Sequence, residues 1–96
     1  MLTIKDLLLG ELSKRNTREI ARMAVENNNI LMELWDYAIA EEEPINWRSA
    51  WVIKGIWEQN PALVTPLIDD MIRALPGLKK DGVKREFLRM IQEYPI

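Results

Sequence analysis

Glu26-Asn27-Asn28-Asn29-Ile30-Leu31 is echoed 32 residues later by Glu58-Gln59-Asn60-Pro61-Ala62-Leu63. Each block is a polar corner between two runs whose apolar residues fall at helical spacing. A fixed period of this size marks a helical-repeat array, in which a helix pair cannot bury its apolar face alone and does so by stacking on its neighbours. The register therefore predicts an all-α chain of about six helices. It specifies architecture and says little about activity.

Working outward from the two corners, the apolar spacing places each helix. Ile4, Leu7, Leu8 and Leu12 lie at i, i+3, i+4 and i+8, which predicts a first helix over 3–13 with Thr3 as N-cap. Residues 13–16 read as a linker, and Thr17 as the cap of a second helix over 18–27 that packs through Ile20, Met23 and Ala24. The three asparagines break it, because their side chains compete for backbone hydrogen bonds. A third helix over 30–42 presents Ile30, Leu31, Leu34, Trp35, Ala38 and Ile39 on one face and stops at Pro44. The fourth, over 46–59, has so little polar surface that it is expected to be contacted on several sides, with Gly55 at a close crossing. Asn60 and Pro61 start a fifth helix, which runs to Leu75 with Pro66 as a point where it can kink. Asp81 caps a sixth, with Val83, Phe87, Met90, Ile91 and Tyr94 on its face. The chain is thus expected to be one domain over 1–96: a capping helix over 1–16, helix pairs over 17–43 and 44–78, and the first helix of an incomplete third pair over 79–96.

Composition excludes more than any motif includes. The chain contains neither cysteine nor histidine. That removes disulfides, thiolate nucleophiles and thiolate metal sites, together with the usual proton shuttle near neutral pH and the commonest transition-metal ligand. No cofactor and no metal are expected. Net charge is -2, with five basic and nine acidic side chains in residues 1–43 and eight and six in residues 44–96. No segment approaches the ~20 apolar residues of a membrane span, and the first residues do not read as a secretory signal. A cytoplasmic protein with no membrane partner is the expectation.

The paired helices, the Asn60-Pro61-Ala62-Leu63-Val64 helix start and the run Asp81-Gly82-Val83-Lys84-Arg85-Glu86-Phe87-Leu88-Arg89 resemble HEAT-like repeats of the armadillo-type right-handed α-α superhelix. Asn46-Trp47-Arg48 is a weaker version of the same opening. The resemblance implies a binding scaffold without chemistry of its own. Some short helical-repeat sequences similar to this one carry an adenylosuccinate lyase label. That enzyme needs a serine-rich mobile loop and histidine acid chemistry, and this chain has only Ser13, Ser49 and no histidine. The label is rejected.

Candidate binding residues follow from these readings. Trp35, Trp51 and Trp57 occupy apolar helical positions and are assigned to the core, whereas Trp47, near a corner, reads equally as a surface anchor or a core lid. A groove lined by one helix from each repeat would bind an unidentified protein partner, with Trp47, Arg48, Lys84 and Arg85 at its rim. The alternative is a nucleic-acid-associated module using Lys80, Lys84, Arg85 and Arg89; it ranks behind, because Asp81, Glu86 and Glu93 interrupt the basic stretch and the net charge is negative. An array ending on half a pair is also expected to expose an apolar flank. Phe87, Met90, Ile91 and Tyr94 would then support a homodimer, or the chain would be the front of a longer array.

Overall fold

The computed structural model describes residues 3–10 and 13–94, all of whose regular structure is helical. The helices are α1 (Ile4–Leu9), α2 (Lys14–Glu26), α3 (Asn28–Ile39), α4 (Ile45–Gln59), α5 (Pro61–Val64), α6 (Ile68–Ala74) and α7 (Asp81–Glu93), with 3₁₀ turns at Thr65–Leu67 and Leu75–Gly77. This is an all-α helical-repeat fold.

Cap chemistry explains where the boundaries fall. Thr3 closes a capping box: its hydroxyl accepts from the Asp6 amide at 3.1 Å while the Asp6 carboxylate accepts from the Thr3 amide at 3.0 Å. Those two hydrogen bonds hold the Asp6 carboxyl below its ordinary pKa. The helix ends at Leu9, earlier than the apolar spacing suggested, and Leu12 lies outside the described residues. Residues 14–16, expected to be a linker, are the first turn of α2. Ser13 is the cap, accepting from the Asn16 amide at 3.1 Å, and Thr17 sits one turn inside with its hydroxyl donating to the Ser13 carbonyl at 2.9 Å. Of the three asparagines only Asn27 leaves the helix. It caps α3 by accepting from the Asn29 amide at 3.0 Å. The fifth helix of the sequence reading is interrupted: Pro66 has no amide to give to the carbonyl four residues back, so the chain tightens into a 3₁₀ turn before resuming as α6. Lys80 occupies the N-cap of α7 without a side-chain hydrogen bond, and Asp81 is the first helical residue.

α4 is the central element. It packs against α1, α2, α3, α5 and α7, and buries Ile45, Ala50, Val52, Ile53, Ile56 and Trp57. Asn46 and Ser49 are buried on it too. Arg48 ties α1 down, donating to the Leu8 carbonyl at 2.9 Å. Trp35 of α3 stacks on Phe87 of α7 with ring centroids 5.3 Å apart. α4 and α7 approach closely at Gly82, where an added Cβ would stand 2.8 Å from the Trp47 Cβ. Glu41 adopts φ 59 in the α3–α4 corner and accepts a short hydrogen bond from the Lys79 amide, which links that corner to the segment leading into α7.

Candidate functional site

α2, α4 and α7 lie side by side, and their outward faces enclose a groove of about 520 Å³. Its floor is the stripe Trp51, Lys54, Gly55, Glu58 and Gln59, which α4 presents at i, i+3, i+4, i+7 and i+8, the spacing of one helix face. Lys14, Thr17 and Arg18 from α2 form one wall, and Glu86 and Arg89 from α7 the other. Gly55 is where α2 crosses α4: a Cβ there would lie 3.5 Å from the Ala21 Cβ, ordinary contact distance.

Trp51 is 42 % exposed, although the sequence assigned it to the core with Trp35 and Trp57. The apolar spacing on α4 does run through position 51. The helix, however, is contacted on all sides except the groove, and Trp51 faces that opening. Trp47 braces it edge-on, at 5.4 Å between centroids and 79° between planes. Trp47 is itself fixed by Gly82 and by the Arg48 guanidinium 5.3 Å from its ring, so it is a half-buried strut between α4 and α7.

Lining charges are four cations, Lys14, Arg18, Lys54 and Arg89, against two carboxylates, Glu58 and Glu86. Lys54 is anchored: its ammonium donates to both Glu93 oxygens at 2.7 and 3.0 Å, and the Trp57 indole N–H donates to the same carboxylate at 3.0 Å. The Lys54 ammonium beside it holds the Glu93 carboxyl below its ordinary pKa, and the Trp57 hydrogen bond adds to this. Lys14, Arg18 and Arg89 make no ion pair among the described residues. Glu86 is only 6 % exposed, yet it has neither a hydrogen bond nor an ion pair among the described residues.

The structure divides the residues nominated from sequence. Arg89 lines the groove. Lys80, Lys84 and Arg85 do not; Lys80 pairs with Glu43 at 3.8 Å and Arg85 is exposed outside it, so the basic stretch does not converge on the groove. Trp47 and Arg48 also stay out of the groove, as structural contacts of α7 and α1. Phe87 and Met90, expected on an open apolar flank, are fully enclosed in the core, and only Ile91 and Tyr94 keep some exposure. The flank meant to support a homodimer therefore lacks its two central side chains. Lys14, Arg18, Lys54, Glu58 and Glu86 were missed. Lys14 sat in the presumed linker, Arg18 at the start of the expected second helix, and Glu86 read as a break in the basic run. The legible signal was the polar stripe Trp51, Lys54, Glu58 on the otherwise apolar α4.

Among the described residues, no group of three or more acidic, histidine or cysteine side chains could hold a metal ion, and no helix is long and apolar enough to cross a membrane. Asp69 and Asp70 do not form an acid pair; Asp70 instead bonds Arg73 at 2.7 Å. A family model described as a HEAT repeat domain matches residues 4–96. No curated protein and no solved structure matches the chain.

Proposed function

The chain belongs to the HEAT repeat family, and from that membership and the lining of the α2–α4–α7 groove we propose that it is a non-catalytic protein-interaction scaffold that seats a partner segment in that groove. The observation carrying the reading is Trp51, a large aromatic left 42 % exposed and braced by a second tryptophan at the floor of a polar-walled cleft. Aromatic anchors near the centre of a contact often supply much of the energy of protein interfaces, because they bring large apolar area at small entropic cost. A volume of about 520 Å³ falls within the roughly 300–1,000 Å³ range of ligand-sized clefts, enough for a few side chains of a partner.

The test is capture from native lysate by the immobilised chain, with and without nuclease, beside the double variant Trp51→Ala/Arg18→Glu, read by mass spectrometry. A protein retained after nuclease by the wild type and lost by the variant is the expected result. Capture that depends on nucleic acid, or that ignores the groove substitutions, refutes the reading.

A further inference from the structure

We propose that the contact of Glu93 with Lys54 and Trp57 is a latch coupling the groove to the last turn of α7: drawing the Lys54 ammonium into the groove loosens residues 91–94, and loosening those residues hands the cation to the groove. This adds a regulation to the groove of the scaffold reading. Its test needs no partner, so either can fail without the other.

Helical register brings the parts together. α4 carries Trp47, Trp51, Lys54 and Glu58 at i, i+4, i+7 and i+11, and α7 carries Gly82, Glu86, Arg89 and Glu93 at the same spacing, so each set is one stripe of its helix. The stripes meet at two points. At one, the Gly82 backbone lies so close to Trp47 that an added Cβ would stand 2.8 Å from the Trp47 Cβ. At the other, Glu93 accepts from the Lys54 ammonium at 2.7 and 3.0 Å and from the Trp57 indole N–H at 3.0 Å. Glu86 and Arg89, which form the groove wall, stand between these points along α7.

The two points differ in kind. As far as Met90 the helix is clamped by the core, for Val83, Phe87 and Met90 are fully enclosed and Phe87 stacks on Trp35. Beyond Met90 that support thins. Gln92 and Glu93 are exposed, and the turn is held by half-buried Ile91, by the Glu93 hydrogen bonds and by the tilted Trp57–Tyr94 ring contact at 6.3 Å.

Lys54 is the moving part. Its side chain is only 14 % exposed although the residue lines the groove, with the ammonium turned towards Glu93. A covered ammonium without a partner is costly, so a Lys54 that loses Glu93 has to reach solvent, and the groove is the opening it lines. Glu58, one turn along α4, offers a second carboxylate there at i+4. The cation therefore has two partners within reach, and only one of them fastens α7. Besides Lys54 and Trp57, the Arg89 charge favours the ionised form of Glu93, so the carboxylate stays charged when Lys54 leaves and can take it back.

The experiment is a double-variant cycle on the full chain with Lys54→Met, which keeps the stem without the charge, and Glu93→Gln. Amide exchange followed by NMR reads the turn. Each single variant should speed exchange in residues 92–94 and at the Trp57 indole by about fivefold, the size of a partly exposed ion pair, while circular dichroism of wild-type intensity shows that the fold is intact. Fluorescence quenching reads the groove: iodide, an anion, senses positive charge beside exposed Trp51, and neutral acrylamide measures exposure alone. Glu93→Gln should raise the ratio of iodide to acrylamide quenching, Lys54→Met should not, and in the double variant the gain should vanish. An equal gain in the double variant would show that Lys54 stays out of the groove and would overturn the latch. So would unchanged exchange in residues 92–94 of the Lys54→Met protein.

Discussion

Gly82→Ala and Gly55→Ala should shift stability in opposite directions. At position 82 the new Cβ would stand 2.8 Å from the Trp47 Cβ and 3.5 Å from its Cγ. Carbon atoms prefer separations of about 3.5–4.0 Å, so the pair must open by most of an ångström. No rotamer relieves this, because a Cβ is placed by the backbone; the start of α7 has to retreat from α4, loosening the packing of Val83 and Phe87. Overpacking of this kind costs about 1–3 kcal/mol, against less than about 1 kcal/mol regained from helix propensity in a first turn. The net loss, about 1–2 kcal/mol, corresponds to a fall in Tm of roughly 5–15 °C for a domain of this size. At position 55 the added Cβ meets Ala21 at 3.5 Å, ordinary contact, in the interior of α4. There the propensity gain stands alone, up to about 1 kcal/mol and a few degrees of Tm. Urea titrations followed by circular dichroism and tryptophan fluorescence measure both, with unchanged m-values as the check that midpoints report stability. A Gly82→Ala protein as stable as the wild type, or a destabilised Gly55→Ala, would refute the helix spacing on which the groove depends.

Trp57→Ala should cost about 3–5 kcal/mol as a buried aromatic truncation, and Trp51→Ala less than half as much because Trp51 faces the groove; equal costs by urea denaturation would return Trp51 to the core. Glu93 has its pKa depressed by Lys54, so its contribution is fully present above the ordinary glutamate value of 4.5 and is lost as pH falls through the lower folded value. With its side chain 49 % exposed, Glu93→Gln should cost no more than about 1 kcal/mol near pH 7, and the gap from wild type should close towards pH 3 when urea midpoints are compared. Tyr37 donates to Glu33 at 2.7 Å, and that hydrogen bond pushes its phenol up to about 12. Absorbance titration at ~295 nm should therefore show one tyrosine still protonated near pH ~11, and Glu33→Leu should bring it back towards the usual value of ~10. The raised pKa also means that its stabilising contribution, complete below pH ~10, fades as pH climbs through the folded value.

Much of the fold was legible because it follows from local rules. The 32-residue register located both corners, Thr3 and Pro61 marked helix starts, and the nearly apolar α4 announced itself as central. The errors have equally local causes. Ser13 and Thr17 are both competent caps one turn apart, and choosing Thr17 removed Lys14 from any helix and left Arg18 at a helix start, so neither was read as part of a wall. Pro66 permits either a kink or a 3₁₀ turn, and the choice depends on what the helix packs against. The site was less legible than the fold. Whether Trp51 is covered, or whether Phe87 stays open, depends on which faces neighbouring helices leave uncovered. Periodicity names a face without saying what lies across from it. Trp35 stacking on Phe87 closed the flank that sequence left open.

The position of α4 also bears on how this small array responds to a ligand. In long solenoids each repeat touches only its neighbours, so ends can unravel while the middle persists. Here α1, α2, α3, α5 and α7 all lean on one helix, whose remaining face is the groove floor. Loss of α4 removes the most extensive helix packing at once and leaves only the lesser α1–α2, α2–α3 and α6–α7 contacts, so the domain should melt in a single step. A segment bound on Trp51 and Lys54 grips the hub itself. Its binding energy would be felt as slower amide exchange in helices it never touches.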